Sequence, residues 1–210
     1  MLALFMVYES FLQLLRDSST SPSMPVDNEK LKHVHTALKQ KFKGKNLIFG
    51  QGPLDAKVVI VSEFITAAEE KENKPLSGPS AKVLNQLLKI LGVEKRKVYI
   101  TNVIKYRPDA GVVVQPKEVK SHAAFLKEEI RTISPQVVIT LGNIALNGVG
   151  LRQPIENVHG RPFNLGDHEL LPTFHPTAAL ADPQIKSLLE ADFAKFRTIL
   201  EAKKNQPQVS

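Results

Sequence analysis

The sequence predicts an α/β protein: a three-layer α/β/α domain with a central parallel sheet of four strands. Three observations carry that expectation. Short β-branched runs recur, "VVIV" from Val58, "VYITNVI" from Val98 and "VVITL" from Val137. They lack the polar alternation of a half-exposed strand, as strands buried on both faces of a parallel sheet do. Amphipathic stretches of helical length separate them, and strands alternating with helices argue for βαβ connections.

The elements follow in chain order. "MLALFMVYES" is apolar but has no basic n-region, and Glu9 interrupts it early, so neither a secretory signal nor a membrane span is expected. Leu2, Phe5, Met6, Phe11, Leu14 and Leu15 fit one side of an amphipathic helix. "DSSTSPSMPVDNE" then reads as a linker. "EKLKHVHTALKQKF" is helical, with Leu31, Val34, Leu38 and Phe42 as its buried stripe. "AKVVIVSE" is the first strand. "PSAKVLNQLLKILGV" is a helix that starts near Pro79 and stops near Gly92. "KVYITNVI" is the second strand, and "QPKEVKSHAAFLKEEIRTIS" a helix with Pro116 in its first turn. "PQVVITLG" is the third strand, and "NIALNGVG" opens a short helix after it. "RPFNLGDHELLPTF" is a hairpin turning at Gly166–Asp167, whose second arm is the last strand. "IKSLLEADFAKFRTILEAK" closes the domain as a helix. The organisation expected is a helix and linker over 1–28, one domain over 29–203, and a frayed tail over 204–210.

At 210 residues the chain is long enough for one sizeable core. Lys and Arg number 28 against 21 Asp and Glu, a net charge of +7 with a pI near 9.5. That balance suits a partner that carries phosphate. No cysteine is present, so disulfides, thiolate metal sites and cysteine nucleophiles are excluded. A cytoplasmic home is the expectation. No Gly-rich phosphate loop follows the first strand, which counts against an unrelated nucleotide-binding enzyme.

The strand ends carry the chemistry. The first strand runs out at Ser62-Glu63, the second reaches Thr101-Asn102, and the last ends at Phe174-His175. In "LLPTFHPTAAL" a proline follows the histidine at once, which forbids it a helical backbone and ends strand pairing. A buried turn histidine with a satisfied hydrogen bond is the plain reading of that stretch alone. A carboxylate, an amide and an imidazole arriving at one edge of a sheet are what a polar, planar ligand needs.

These residues resemble the uracil-DNA glycosylase superfamily, and within it the family 4 branch. "FGQGPLDAKVVIVSE" is similar to that family's lead-in to its Gly-Glu-Ala-Pro-Gly motif, with Glu63 on the glutamate. "TNVIKYRPD" is similar to Thr-Asn-Val-Val-Lys-Cys-Arg-Pro-Pro, with Asn102 on the base-reading asparagine. "SPQVVITLGNIAL" resembles the third strand and turn, and "HPTAAL" falls on His-Pro-Ser-x-x-Leu with His175 on the functional histidine. The resemblance covers roughly Glu29 to Lys203.

The resemblance implies hydrolysis of the N-glycosidic bond of uracil or another deaminated base in DNA. His175 would donate to uracil O2 as negative charge builds there. Asn102 would read the base edge, and Glu63 would activate water and offset charge on the sugar. Leu76 and Phe64 would touch the base, and Lys105, Arg107 and Arg161 would meet phosphates. The implied partner is DNA, single-stranded or with its base flipped out. No membrane partner is expected, and the protein should be a monomer.

The chain also departs from the family. Phe64-Ile65-Thr66 replaces the small Ala-Pro-Gly, and Leu76 stands where the family stacks uracil on phenylalanine. Base–aromatic stacking is worth about 1–3 kcal/mol. Family 4 members hold an iron–sulfur cluster on four cysteines. Here gapless counting puts two of those positions on Tyr106 and His122, and two near His35 and Leu38. No cofactor is therefore expected. An active glycosylase and a non-catalytic member that binds DNA or serves as an interaction module both stay open at this point.

Overall fold

The computed structural model describes residues 28–204. The helix expected near the start, the linker after it and the residues beyond 204 lie outside the described part. The elements are α1 (Asn28–Lys41), β1 (Val58–Phe64), α2 (Ala67–Glu72), α3 (Pro79–Leu91), β2 (Val98–Ile104), α4 (Pro116–Ile133), β3 (Val137–Leu141), α5 (Asn143–Val149), α6 (Ile155–Val158), β4 (Phe163–Asn164), β5 (Glu169–Thr173), α7 (Ala178–Ala181) and α8 (Pro183–Lys204), with a 3₁₀ turn over Lys95–Lys97.

The strands form one sheet in the order β2-β1-β3-β5-β4. The four expected strands are parallel: Val58 lies opposite both Val98 and Val137, and Val137 opposite Glu169. The sheet has a fifth strand, and the expectation of four is corrected. The first arm of the hairpin, β4, pairs antiparallel with β5 through Phe163↔Leu170 and Asn164↔Glu169. A hairpin partner of a sheet strand joins the sheet because its backbone groups pair there.

Side-chain parity sorts the two faces. Val59 and Val61 enter one apolar cluster with Leu126 and Ile130 of α4 and Leu146 of α5. Val58 and Ile60 enter the other, with Leu84 and Leu88 of α3 and Phe193 and Phe196 of α8. The central strand is thus covered on both sides, which is why it carries no polar residue before Ser62. Full burial of each such Val or Ile side chain contributes roughly 1.5–3 kcal/mol. Pro79 and Pro116 each occupy a helix start, and Gly92 ends α3 at φ +74°, as their positions predict.

One polar cluster lies inside the α4 layer. Lys105 Nζ is 2.5 Å from Glu129 Oε2, and both side chains are 1% exposed. Lys105 also donates to the Thr101 hydroxyl. Tyr99 OH donates to Glu129 Oε1 at 2.8 Å, and the Thr101 hydroxyl donates to the same oxygen at 3.0 Å. Burial and the Glu129 charge push the Tyr99 phenol well up. Gly50 packs over this cluster; a Cβ there would sit 2.5 Å from Tyr99 OH and 2.6 Å from Glu129 Oε1. The expectation that Lys105 meets DNA phosphate is corrected here. Tyr99, Thr101, Val103 and Lys105 share one strand parity, so the lysine points at α4 instead of at solvent.

Candidate active site

Glu63, Asn102 and His175 all sit at the C-terminal rim of the parallel sheet. Ser62 and Asn102 are register partners on β1 and β2. By parity both share the face of Val58, Ile60, Val98 and Ile100, the α3–α8 side. Asn102 is 1% exposed. Its Nδ2 donates to the Phe64 carbonyl at 3.0 Å, which fixes the amide plane. Its Oδ1 is buried and has no hydrogen-bond partner. A buried acceptor left unpaired costs about 1–3 kcal/mol, so it calls for an explanation, and a donor supplied by a ligand is one.

His175 is held as one neutral tautomer. The Thr177 N–H donates to its Nδ1 at 3.1 Å, so Nδ1 carries no proton. Burial lowers the imidazole to about 4. The proton therefore resides on Nε2, which donates to Ser62 Oγ at 2.9 Å. The strand that delivers it is braced from behind. The Thr173 hydroxyl donates to Asp192 Oδ2 at 2.7 Å, and His159 Nδ1 donates to the same oxygen at 3.0 Å. The His159 ring lies 4.7 Å from the Phe174 ring.

Glu63 leans toward the opposite layer. Its Oε1 accepts the Ile144 N–H at 3.0 Å, in the first turn of α5. Gly142, at φ +89°, makes room: a Cβ there would lie 2.4 Å from that oxygen. Burial raises the Glu63 carboxyl above its usual range, and the Ile144 hydrogen bond partly offsets this.

Both shifts have consequences for stability. His175 titrates lower folded than unfolded, so its contribution is complete above pH 6.5 and is lost as pH falls toward 4. His35 and His122, also lowered by burial, act in the same direction. Glu63 titrates higher folded than unfolded, so the stability it supplies is lost as pH rises through its folded pKa. Glu63→Gln is therefore expected to raise the melting temperature at neutral pH and to have less effect near pH 4. Melting curves of both proteins across that range check it, and a lower melting temperature at neutral pH would refute it.

The remaining sequence candidates divide. Leu76 is 1% exposed, inside the α3–α8 cluster. It holds φ +47°, a left-handed conformation that leucine rarely adopts. Glu69 imposes it, accepting the Leu76 N–H at 2.5 Å and the Thr66 N–H at 2.6 Å. Phe64 is half-buried against the α4–α5 layer, whereas Ile65 is fully buried. Arg107 is exposed and lies 3.4 Å from Glu70, and Arg161 is exposed.

The comparisons with known proteins point the same way. The model of the uracil DNA glycosylase superfamily matches residues 49–201, more than half of the chain. A type-4 uracil-DNA glycosylase of Thermotoga maritima is 31% identical over 85% of this chain and 95% of its own length. Those of Sulfurisphaera tokodaii and Saccharolobus solfataricus are each 32% identical, over 73% and 76% of this chain and 74% and 78% of their own lengths. The chain belongs to the uracil-DNA glycosylase superfamily.

As a superfamily member it does not fit the family 4 iron–sulfur cluster. None of the four positions reached by gapless counting carries a thiolate, and the imidazoles among them are stacked on phenylalanine rings. Leu38 is an aliphatic side chain buried to 0%. The Tyr106 hydroxyl donates to Glu118 at 2.6 Å. His35 stacks on Phe49 at 4.0 Å. At the fourth, His122 stacks on Phe42 at 4.0 Å. Among the described residues no group of three or more His, Cys, Asp or Glu is placed to hold a metal. Aromatic packing, with Lys41 Nζ 5.1 Å from the Phe125 ring centroid, occupies this part of the superfamily fold.

Ser62, Thr177, Gly142 and Glu69 position the candidate residues, and sequence reasoning did not single them out. Only Glu69 has a local signal: Thr66-Ala-Ala-Glu69 is a capping box, with both reciprocal bonds present. Among the described residues no helix is long and apolar enough to cross a membrane.

Proposed function

We propose that this protein hydrolyses the N-glycosidic bond of uracil, or another deaminated base, in DNA. The observation that carries the reading is the unpaired Asn102 Oδ1 on the same rim as a neutral imidazole whose Nε2 bears the proton. An acceptor and a donor so placed complement the N3–H and O2 of uracil. Cytosine has no N3–H and would set acceptor against acceptor, leaving Oδ1 unpaired; sites that lose a designed hydrogen bond reject the wrong ligand strongly.

The base leaves the stack, at a cost of a few kcal/mol, to reach the rim. Asn102 Oδ1 accepts N3–H, and the amide hydrogen not used by Phe64 faces O4. The Nε2–H of His175 leaves Ser62 Oγ for O2, where charge accumulates as the bond to the sugar breaks. Because Thr177 holds Nδ1 as acceptor, the imidazole meets the leaving base as a fixed neutral donor. Ionised Glu63 orients water toward the sugar carbon and offsets its positive charge. Leu76 gives an apolar floor without an aromatic face.

The test uses purified protein and oligonucleotides, single- and double-stranded, carrying uracil, hypoxanthine, xanthine or only ordinary bases. Alkaline cleavage afterwards reveals abasic sites. Cutting of uracil strands with cytosine strands left intact is expected. DNA binding without any cutting would refute the reading and make the chain a non-catalytic DNA-binding member.

A further inference from the structure

With Lys105 buried, the chain's excess of positive charge must meet DNA elsewhere. A cavity of about 940 Å³ lies between α4 and α5. Lys117, Lys120 and Lys127 of α4 and Arg152 after α5 line it, all exposed, and no acidic residue does. None of the four cations is in an ion pair among the described residues, whereas Arg96, Arg107, Arg131 and Arg197 elsewhere on the surface each are. The floor is apolar, with Val119 and Ile144. Ile144 is also the residue whose N–H holds Glu63, so the cavity adjoins the candidate active site.

We infer that this groove binds a second stretch of the substrate strand, beyond the nucleotide that is cut, through its phosphates. The inference rests on the DNA-glycosylase reading and adds a site to it. Lys117 to Lys127 spans about 15 Å along α4 at 1.5 Å per residue. Along the axis of a duplex one strand places a phosphate about every 3.4 Å, so the row covers about four of them there and fewer on an extended single strand. The apolar floor gives the sugars and bases a surface that needs no particular sequence. The adjacent segment adds Val112 and Val113, 57% and 75% exposed, to the apolar surface beside it. Unpaired cations lining a groove whose lining holds no acid are suited to a polyanion more than to a mixed-charge protein surface.

Three measurements on the full chain test this. Wild type should bind an undamaged single strand of about 16 nucleotides more tightly than one of about 4, with steep loss on added salt. The Lys117→Gln/Lys120→Gln/Lys127→Gln/Arg152→Gln variant should lose roughly tenfold or more in affinity for the longer strand, and its log–log salt slope should fall by about 2–3. Acetylation footprinting on wild type should show Lys117, Lys120 and Lys127 protected by the longer strand and Lys89, on the α3 side of the sheet, not protected. The footprint decides the matter even if the variant folds poorly. If wild type binds DNA with a steep salt slope but these lysines are unprotected, or the folded variant keeps the slope, the groove is not a DNA site and an acidic protein segment becomes its better occupant. If wild type excises uracil but strand length has no effect on binding, the groove inference fails and the glycosylase reading stands. If wild type binds no DNA, both fall.

Discussion

Lys105→Ala is expected to destabilise the fold by about 3–5 kcal/mol, a melting-temperature loss of roughly 6–20 °C for a chain of this size. The substitution removes the cation that, among the described residues, is ion-paired with a carboxylate 1% exposed. Glu129 would keep the Tyr99 and Thr101 hydroxyls as donors, and those cannot neutralise it. A stranded charge of this kind is what makes the loss of one partner costly, while the intact pair adds little over an apolar replacement. Lys105→Met/Glu129→Leu should accordingly recover most of the loss. The result also separates the two roles considered for this residue. A phosphate contact at Lys105 would leave stability unchanged and reduce the salt slope of DNA binding by about 1. Denaturant melts that superimpose for wild type and Lys105→Ala would overturn the structural role.

What the sequence disclosed depends on how local its cause was. The four parallel strands were legible because "VVIV" and its counterparts lack the polar alternation of a half-exposed strand, a pattern that needs cover on both faces. Pro79, Gly92 and Pro116 mark helix ends by backbone chemistry alone, so their positions transferred directly. Glu63, Asn102 and His175 were placed on one rim because each stands at or near the end of an apolar run. Their hydrogen-bonded states were not legible. Ser62 and His175 meet across 113 residues of sequence. The orphaned Oδ1 of Asn102 depends on the Phe64 carbonyl of a neighbouring strand. Lys105 was misplaced for the same reason: its partner Glu129 lies on a helix 24 residues away, and only strand parity hinted that the side chain turned inward. The hairpin was read correctly, but its first arm, two residues long, gives no periodic signal of belonging to the sheet. The six-residue α2 is also too short for apolar periodicity, although its capping box was readable. Leu76 sits buried in a left-handed backbone because Glu69 binds its N–H, a contact that no composition rule supplies.

His175→Ala is expected to slow base excision by a hundredfold or more in the chemical step, about 2.7–4 kcal/mol of transition-state stabilisation. The hydrogen bond it removes is one that strengthens as charge moves onto the leaving base, so the loss should fall on the single-turnover rate more than on DNA affinity. The pH profile distinguishes this role from that of a general acid. His175 is neutral at all pH values well above 4, and it already carries the proton it uses. Glu63 must be ionised, and burial raises its pKa. The wild-type rate should therefore climb as pH rises through the Glu63 pKa and then stay level above it. An imidazolium acid would give the opposite sign, with the rate falling as pH rises past its pKa. In His175→Ala the whole profile should drop while its acid limb stays where Glu63 sets it; in Glu63→Gln that limb should disappear. Folding should suffer little, because His175 is half-buried at the rim, and the loss of stability below pH 6.5 that comes from keeping it neutral should be relieved in the variant. An His175→Ala protein that excises uracil at the wild-type rate would show that the imidazole does not stabilise the leaving base. One that fails to fold would show that the Thr177 and Ser62 contacts serve the structure instead of the chemistry.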